Sequence, residues 1–395
     1  MKKLLLATVA TAALGAGAAS AEDVKIGLSL GYTGPLESMA PAMTQGAELA
    51  IKEVNDSGKF MGGSNVTSVQ VDNTCTDAAA SVAAVERLVT SEKVNGIMGG
   101  MCSGETIASL ERVAVPNGMV MISPSATSPA LTDIDDQGYF FRTSPSDARQ
   151  GEVMSDIMNE RGVKTAAVTY TNNDYGKGLA EAFKRFYEEA GGTVTIMAAH
   201  DDGKADYSAE VAALAAAGGD ALVVAGYVDQ GGSGIVRGAL DTGAFDTFVF
   251  PDGMMSEALV DRFGTELASS FGQNPSAEGP TRDKFIEMTT AAGFDGNSAF
   301  AGESYDAAAL LLLAMEAAKS TDPKVYKDQV LNVANAPGEK IGPGELGKAL
   351  ELLAAGTDID FVGATSVELV GPGESAGVYR EVDFPEGKIN VVKLH

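Results

Sequence analysis

Tryptophan is absent from this 395-residue chain, and aromatic residues make up only 6% of it. No stacking platform for sugar rings is therefore evident. There are two histidines, His200 and His395, and two cysteines, Cys75 and Cys102. Asp201 and Asp202 stand beside His200, but no serine in a Gly-x-Ser-x-Gly elbow accompanies it. No His/Cys/Asp cluster has the spacing of a zinc site. No Gly-x-x-x-x-Gly-Lys-Ser/Thr run or Gly-x-Gly-x-x-Gly after the first strand offers a nucleotide cradle; Gly231-Gly232-Ser233-Gly234 is only a flexible helix start. Positive charge is scarce as well: 28 Lys and Arg face 54 Asp and Glu, a net charge of −26. Such a field repels nucleic acid and anionic lipid, which excludes both as partners. It does not identify a ligand, and acidic pairs such as Asp135-Asp136 read as solvated surface. Catalysis, a cofactor and a metal all lack a candidate constellation, so the chain is read as a non-enzyme.

One apolar run stands out, at the start. Met1-Lys2-Lys3 is basic, Leu4–Ala18 is apolar and small, and Ala19-Ser20-Ala21 has the A-x-A form of a cleavage site. The run is too short, and too rich in Ala and Gly, for a membrane anchor. No cysteine lies near the cut to carry a lipid. A signal peptide over 1–21 leaves 395 − 21 = 374 residues, and losing Lys2 and Lys3 takes the charge from −26 to −28. The expected product is exported, without membrane insertion. Export also gives the cysteines a meaning. Cys75 follows strand-like Ser68–Asp72 and Cys102 follows Val94–Gly100, so neighbouring parallel strands bring them together for oxidation. Two free buried thiols are the other reading.

Strand and helix patterns then alternate. Strand Val24–Leu30, helix Met43–Asn55, strand Ser68–Asp72, helix Ala78–Ser91, strand Val94–Gly100, helix Glu105–Val115 and strand Gly118–Ile122 form one round. After Phe140-Phe141-Arg142-Thr143 a second round begins, with strands at Thr165–Tyr170, Thr193–Ala199, Ala221–Ala225 and Thr247–Phe250 separated by helices. This βαβα periodicity predicts parallel sheets covered on both faces, in two lobes. Helices return at Arg282–Ala292, Ser304–Ala318 and Gly344–Leu353, the middle one suited to cover the first lobe. Three short tail strands, Val367–Val370, Gly377–Val382 and Ile389–Leu394, are expected to pair with the second sheet.

Two strands end in loops of small residues with exposed donors: Cys102-Ser103-Gly104 and Ser123-Pro124-Ser125-Ala126-Thr127. Loops at the carboxyl ends of parallel strands are where open sheets bind ligands, and their N–H and hydroxyl groups suit a small anion. The same residues also fit ordinary helix N-caps.

The chain resembles the periplasmic binding proteins for branched-chain amino acids and related solutes that serve ABC importers. The resemblance runs through Val24-Lys25-Ile26-Gly27, Gly34-Pro35, Gly46-Ala47-Glu48-Leu49-Ala50, Cys102-Ser103, Ile122–Thr127, Phe141-Arg142-Thr143, Asn173–Gly178, Gly226-Tyr227 and Tyr305-Asp306-Ala307. It implies a clamshell: an α/β fold of two Rossmann-like lobes joined by three hinge crossovers, near Thr143, Phe271 and Asp360. Lobe 1 would be 22–142 plus 272–360, and lobe 2 would be 143–271 plus 361–395. Ser103, Ser125 and Thr127 would grip a ligand's carboxylate and ammonium from the first lobe, and Tyr175 and Tyr227 would close over it from the second. Asp252 matches the position where branched-chain binders carry a Glu for the α-ammonium.

Each residue also has a purely architectural reading: Tyr175 packing its loop, Tyr227 ending a strand, Asp252 turning ahead of Gly253, Ser125 and Thr127 as local caps. Two departures matter. Met39 stands where a Tyr is typical, and Asp252 is one methylene shorter than Glu, which opens the ligand to another amino acid, an ω-amino acid or an amide. The implied role is the periplasmic, monomeric substrate-binding component of an importer, partnered by inner-membrane permease subunits. A ligand-sensing receptor component and an exported amidase or esterase are the other readings.

Overall fold

The computed structural model describes residues 23–395, so the leader expected at 1–21 lies outside the described residues. The first lobe is built on β1 (Val24–Leu30), β2 (Val66–Asp72), β3 (Gly96–Gly99), β4 (Met121–Ser123) and β5 (Phe140–Arg142). The second uses β6 (Thr165–Thr171), β7 (Thr193–His200), β8 (Ala221–Ala225), β9 (Phe248–Phe250) and β10 (Phe271–Pro275). Both parallel cores have the same order, β5-β4-β3-β1-β2 in one and β10-β9-β8-β6-β7 in the other. The chain repeats its architecture without repeating its sequence.

The strand patterns explain the layering. β1 and β8 are buried along almost their whole length, as parallel strands covered by helices on both faces must be. Helix Ala301–Ala318 is apolar nearly all round, with Ala307–Met315 completely buried, which marks a helix sunk in a core. It packs on helix Ala40–Ser57 so closely that a Cβ on Gly46 would lie 2.2 Å from the Ala301 carbonyl oxygen. Only glycine permits that approach. The helix does cover the first lobe, as its composition predicts.

The tail departs from expectation in one element. Strands Leu369–Val370 and Glu374–Ser375 add to the edge of the first sheet, where Glu374 is in register with Arg142 of β5. Tyr379–Asp383 and Asn390–Leu394 join the second sheet, antiparallel to β10 and to each other. The ion pair between buried Arg142 and Glu374 anchors the first hairpin; a short apolar strand carries no signal of which sheet will accept it. The chain thus passes between sheets after β5, after β10, and between Ser375 and Tyr379. Cys75 and Cys102 form a disulfide with Cα atoms 5.2 Å apart, deciding between the two readings of the cysteines. Among the described residues no helix is long and apolar enough to cross a membrane.

Candidate functional site

In each sheet the first strand has its successor on one side and the third strand on the other, so both sheets have a switch point, at β1/β3 and at β6/β8. Loops leaving such a point diverge and open a crevice. Here the two crevices face each other. Leu36 follows β1, Met101, Cys102 and Ser103 follow β3, and Ser125 follows β4; opposite them Tyr175 follows β6, Tyr227 follows β8, and Asp252 and Gly253 follow β9. Together with Phe300 they line one cavity.

The first wall is held rigid from below. Ser103 opens a helix whose Glu105 turns back to accept hydrogen bonds from the backbone N–H groups of Met101 (2.8 Å) and Cys102 (2.9 Å). Asn73 Nδ2 and the Ser81 hydroxyl donate to the same carboxylate. Burial pushes Glu105 up to about 7, against these hydrogen bonds. Ser103 Oγ accepts from the Ser128 N–H at 3.1 Å, and the Ser125 hydroxyl donates to the Met101 carbonyl at 2.8 Å. Both hydroxyls therefore brace the two loops against each other while facing the cavity. Neither hydroxyl caps a helix: the N-cap positions are held by Cys102 and Ser128.

The second wall is aromatic and acidic. The Tyr175 and Tyr227 rings stack with centroids 5.2 Å apart and planes 10° from parallel. Asn173 caps helix Asp174–Glu189 through the Gly176 N–H, setting Tyr175 in its first turn, and donates to the Tyr227 hydroxyl at 3.2 Å. The Tyr175 hydroxyl and the Gly253 N–H each donate to Asp252 Oδ1 at 2.7 Å. A Cβ on Gly253 would approach the Gly226 carbonyl oxygen to 2.6 Å and the Tyr175 hydroxyl to 2.7 Å, so glycine is required there for contact rather than for a turn. Burial raises the Asp252 carboxyl to about 6, opposed by its hydrogen bonds from Tyr175, Gly253 and Gln150.

Five of the six residues expected at the site share this cavity; Thr127 does not line it. Thr127 is buried behind Ser125, and its carbonyl accepts from the Asp147 N–H at 2.8 Å. Met39 is also elsewhere, packed in the first lobe's core, and Leu36 takes the place on the wall expected of it. Phe300 was not legible as a site residue: a backbone φ of +62° just ahead of helix Ala301–Ala318 turns it toward the cleft. Asp147 and Gln150, beside Asp252, carried no sequence signal beyond the start of a helix.

The cleft is shut. Tyr175 and Tyr227 are 3% and 2% exposed, and the cavity between the walls is about 10 Å³, room for roughly one water. At its mouth the Ser38 N–H donates to Asp229 Oδ2 (2.9 Å) and the Asp229 N–H donates to the Pro35 carbonyl (3.0 Å). On another edge the Ser128 hydroxyl donates to the Asp174 carbonyl at 3.0 Å. A larger groove of about 740 Å³, lined by Tyr207, Val211 and Arg237, belongs to the second lobe alone. Glu160, Glu381 and His395 place possible metal-binding atoms within 4.8 Å of one another, but Lys393 and Arg161 already pair with the two carboxylates.

The comparisons with known proteins agree with this architecture. The chain is 32% identical over 350 residues to a protein of Brucella melitensis named Leu/Ile/Val-binding protein homolog 1, covering 87% of this chain and 90% of that one. It is 28% identical over 349 residues to the leucine-, isoleucine-, valine-, threonine-, and alanine-binding protein of Pseudomonas aeruginosa, covering 87% and 91%. The crystal structure of the leucine-binding protein LivK of Thermotoga maritima superposes with a TM-score of 0.79 at 22% identity, over 94% of this chain and 98% of that one. Residues 23–336 match the family model described as periplasmic binding protein, and the chain belongs to that family.

Proposed function

We propose that this chain is the substrate-binding component of an ABC importer, capturing an amino acid or amino-acid-like solute between its lobes and presenting the closed form to permease subunits in the inner membrane. One observation carries the reading: a single cavity takes hydroxyl-bearing loops from one lobe and two phenols plus an acid from the other. Those groups complement the two ends of a zwitterion. The names of the relatives support amino acids as the solute class. The leader-like start, Met1–Ala21, supports the periplasm as its place of work.

The mechanism follows from the geometry. A solute touching only one wall has equal affinity for the open and shut states and shifts nothing. A solute that bridges Ser103 and Ser125 to Tyr227 and Asp252 favours the shut state by the whole of its second set of contacts. Closure also removes water, which strengthens each charge interaction. The shut shape then reports occupancy to the permease. ATP hydrolysis belongs to partner subunits, since this chain has no phosphate-binding loop motif. No step makes or breaks a covalent bond.

A thermal-shift screen against amino acids, ω-amino acids, amides and aromatic acids tests the proposal. A solute bound by the folded chain raises the melting temperature with the logarithm of its excess over Kd. At least one compound carrying both ammonium and carboxylate is expected to do so. A panel without such a compound, or release of product from amides or esters that Ser103→Ala abolishes, overturns it.

A further inference from the structure

The acid expected to meet the ligand's ammonium is not alone. Asp147 opens helix Asp147–Glu160 and is completely buried. With the Gln150 amide oriented to satisfy its neighbours, its nitrogen donates to Asp147 Oδ1 at 2.7 Å and to Asp252 Oδ1 at 3.3 Å, and its oxygen accepts from the Asp252 N–H at 3.2 Å. One amide group thus bridges two buried carboxyls.

Among the described residues no nearby cation is free to balance them; Arg149, which acts on the adjoining Tyr379, pairs with Glu152. The charged and titratable groups acting on Asp147 are Asp252, Arg142, Tyr175, Tyr227 and Tyr379. Arg142 is the one base in this set, and its donors are committed. Nη1 serves the carbonyls of Ala126 (3.0 Å) and Ser128 (2.9 Å), while Nε and Nη2 serve Glu374 and Thr132 Oγ1. Around the pair three polar atoms are buried without a hydrogen-bond partner among the described residues: Asp147 Oδ2, Thr127 Oγ1 and Tyr379 Oη. Thr127 stands close enough to favour the charged form of Asp147, and no other described residue uses this hydrogen-bonding capacity. Two carboxyls this close and this dry do not both ionise at little cost; one proton belongs to the pair.

We propose that Asp147 is a second acid of the ammonium site, joined to Asp252 through the Gln150 amide, and that capture of a primary ammonium expels the proton the two carboxyls share. The inference rests on the functional reading above and assigns its amine end. The exchange balances: the carboxyl loses its proton to solvent, and the arriving ammonium, keeping its own three, restores the charge. Burial and the neighbouring Asp252 charge both raise the Asp147 carboxyl, opposed by Thr127 and Arg142, so the pair still holds a proton in mildly acidic solution. Affinity for an ammonium solute should then climb as pH rises through this range, by up to tenfold per unit for a one-proton exchange. A carboxylate solute without an ammonium would instead leave the proton in place.

The test is calorimetric titration of L-leucine and L-alanine at pH 6, in buffers of different ionisation heat, which counts protons released on binding. Wild type is expected to release up to one proton more per bound amino acid than Asp147→Asn, whose lone Asp252, raised to about 6 by burial, still gives up part of one, and the variant's affinity should change less between pH 5.5 and 8. Absence of release from wild type, or equal release from Asp147→Asn, overturns the inference. Should the variant fail to fold, the wild-type proton count and pH profile decide alone. If neither amino acid binds, the titration uses the ammonium-and-carboxylate compound that the thermal-shift panel returns, and only a panel returning none makes the functional reading fail with it. The pair is then read directly in the unliganded protein, by infrared difference spectra between pH 5 and 8. Wild type should show one titrating carboxyl more than Asp147→Asn, above those of Glu105, Glu303 and Asp306, which burial also holds near 7. Identical spectra would show that the carboxyls share no proton.

Discussion

The Tyr175 hydroxyl donates to Asp252 Oδ1 at 2.7 Å, and the Tyr175 ring stacks on Tyr227. One side chain thus aims the acid and forms the aromatic wall. Replacing Tyr175 by Phe keeps the wall and removes the aim. A hydrogen bond to a charged group contributes roughly 1.5–3 kcal/mol, so amino-acid affinity should fall about 10- to 100-fold by calorimetry, with little change in melting temperature of the unliganded protein. Unaltered affinity would mean that Asp252 needs no positioning by the phenol.

Truncating the acid itself is the harsher change. Asp252→Ala takes from a bound ammonium the acid that lines the cavity and leaves only Asp147 behind it, a loss of up to about 3–5 kcal/mol. Affinity for any amino-compound ligand should drop by about 100-fold, while a ligand lacking an amine would be held as well or better. Equal binding of an amino acid to both proteins would remove Asp252 from the site.

The shut state is latched at the mouth of the cleft by Asp229, which accepts from the Ser38 N–H and pairs with Arg262 Nη2 at 2.7 Å. Asp229→Ala removes this contact without changing a residue that lines the cavity. The link that the Asp229 side chain makes across the mouth is a single hydrogen bond from Ser38, contributing roughly 1 kcal/mol, so the expected effect is a few-fold weaker affinity, carried by faster release. Small-angle scattering of the unliganded variant should show a larger radius of gyration. A variant as compact as wild type would show that the latch does not set the balance of open and shut forms.

The parallel layers were legible because strand-like segments recur at regular spacing between helical patterns, from the fully apolar β8 to β1 and β6, where apolar residues interleave with polar ones. Of the six expected residues, Ser103 and Ser125 stand on the cavity wall where loop chemistry follows a strand, and Asp252 stands there as the resemblance implied. The site was not legible where tertiary packing decides. Phe300 reaches the cleft through a left-handed backbone turn, and Leu36 rather than Met39 faces the cavity because the helix starting at Ala40 buries Met39 in the core. The hairpin 369–375 chose the first sheet because Glu374 meets Arg142, a long-range ion pair that no local pattern announces.

The disulfide ties the cavity wall to the edge of the first lobe. Cys75 and Cys102 are both 3% exposed, and Cys102 itself lines the cavity. Closing a loop across their separation of 27 residues stabilises the fold by roughly 3–4 kcal/mol in the chain-entropy model. Cys75→Ser/Cys102→Ser should lower the denaturant midpoint accordingly. Ligand affinity should also weaken, because Met101 and Cys102 lose the crosslink that holds their loop. A double variant that binds normally while unfolding early would confine the bond to a role in stability.

Stability should decline as pH rises through the mildly acidic range. Glu105, Glu303 and Asp306 are each pushed to about 7, burial being the largest cause in every case. An unfolded chain releases these protons near 4 to 4.5. Between those limits the folded chain holds more protons than the unfolded one, so unfolding grows easier as pH rises across the window and levels off above about 7. The acid side is bounded by groups of the opposite sense. Asp206 and Asp220 are held low by backbone hydrogen bonds from Ser208 and Thr165, and Glu266 by Arg237; what they contribute is lost once the pH falls below the usual carboxylate range. Melting temperature in the absence of ligand should therefore peak near pH 5 and be lower at pH 8. A curve that rises steadily from 5 to 8 would mean that these three buried carboxyls are ionised in the folded protein, their hydrogen bonds outweighing the cost of burial.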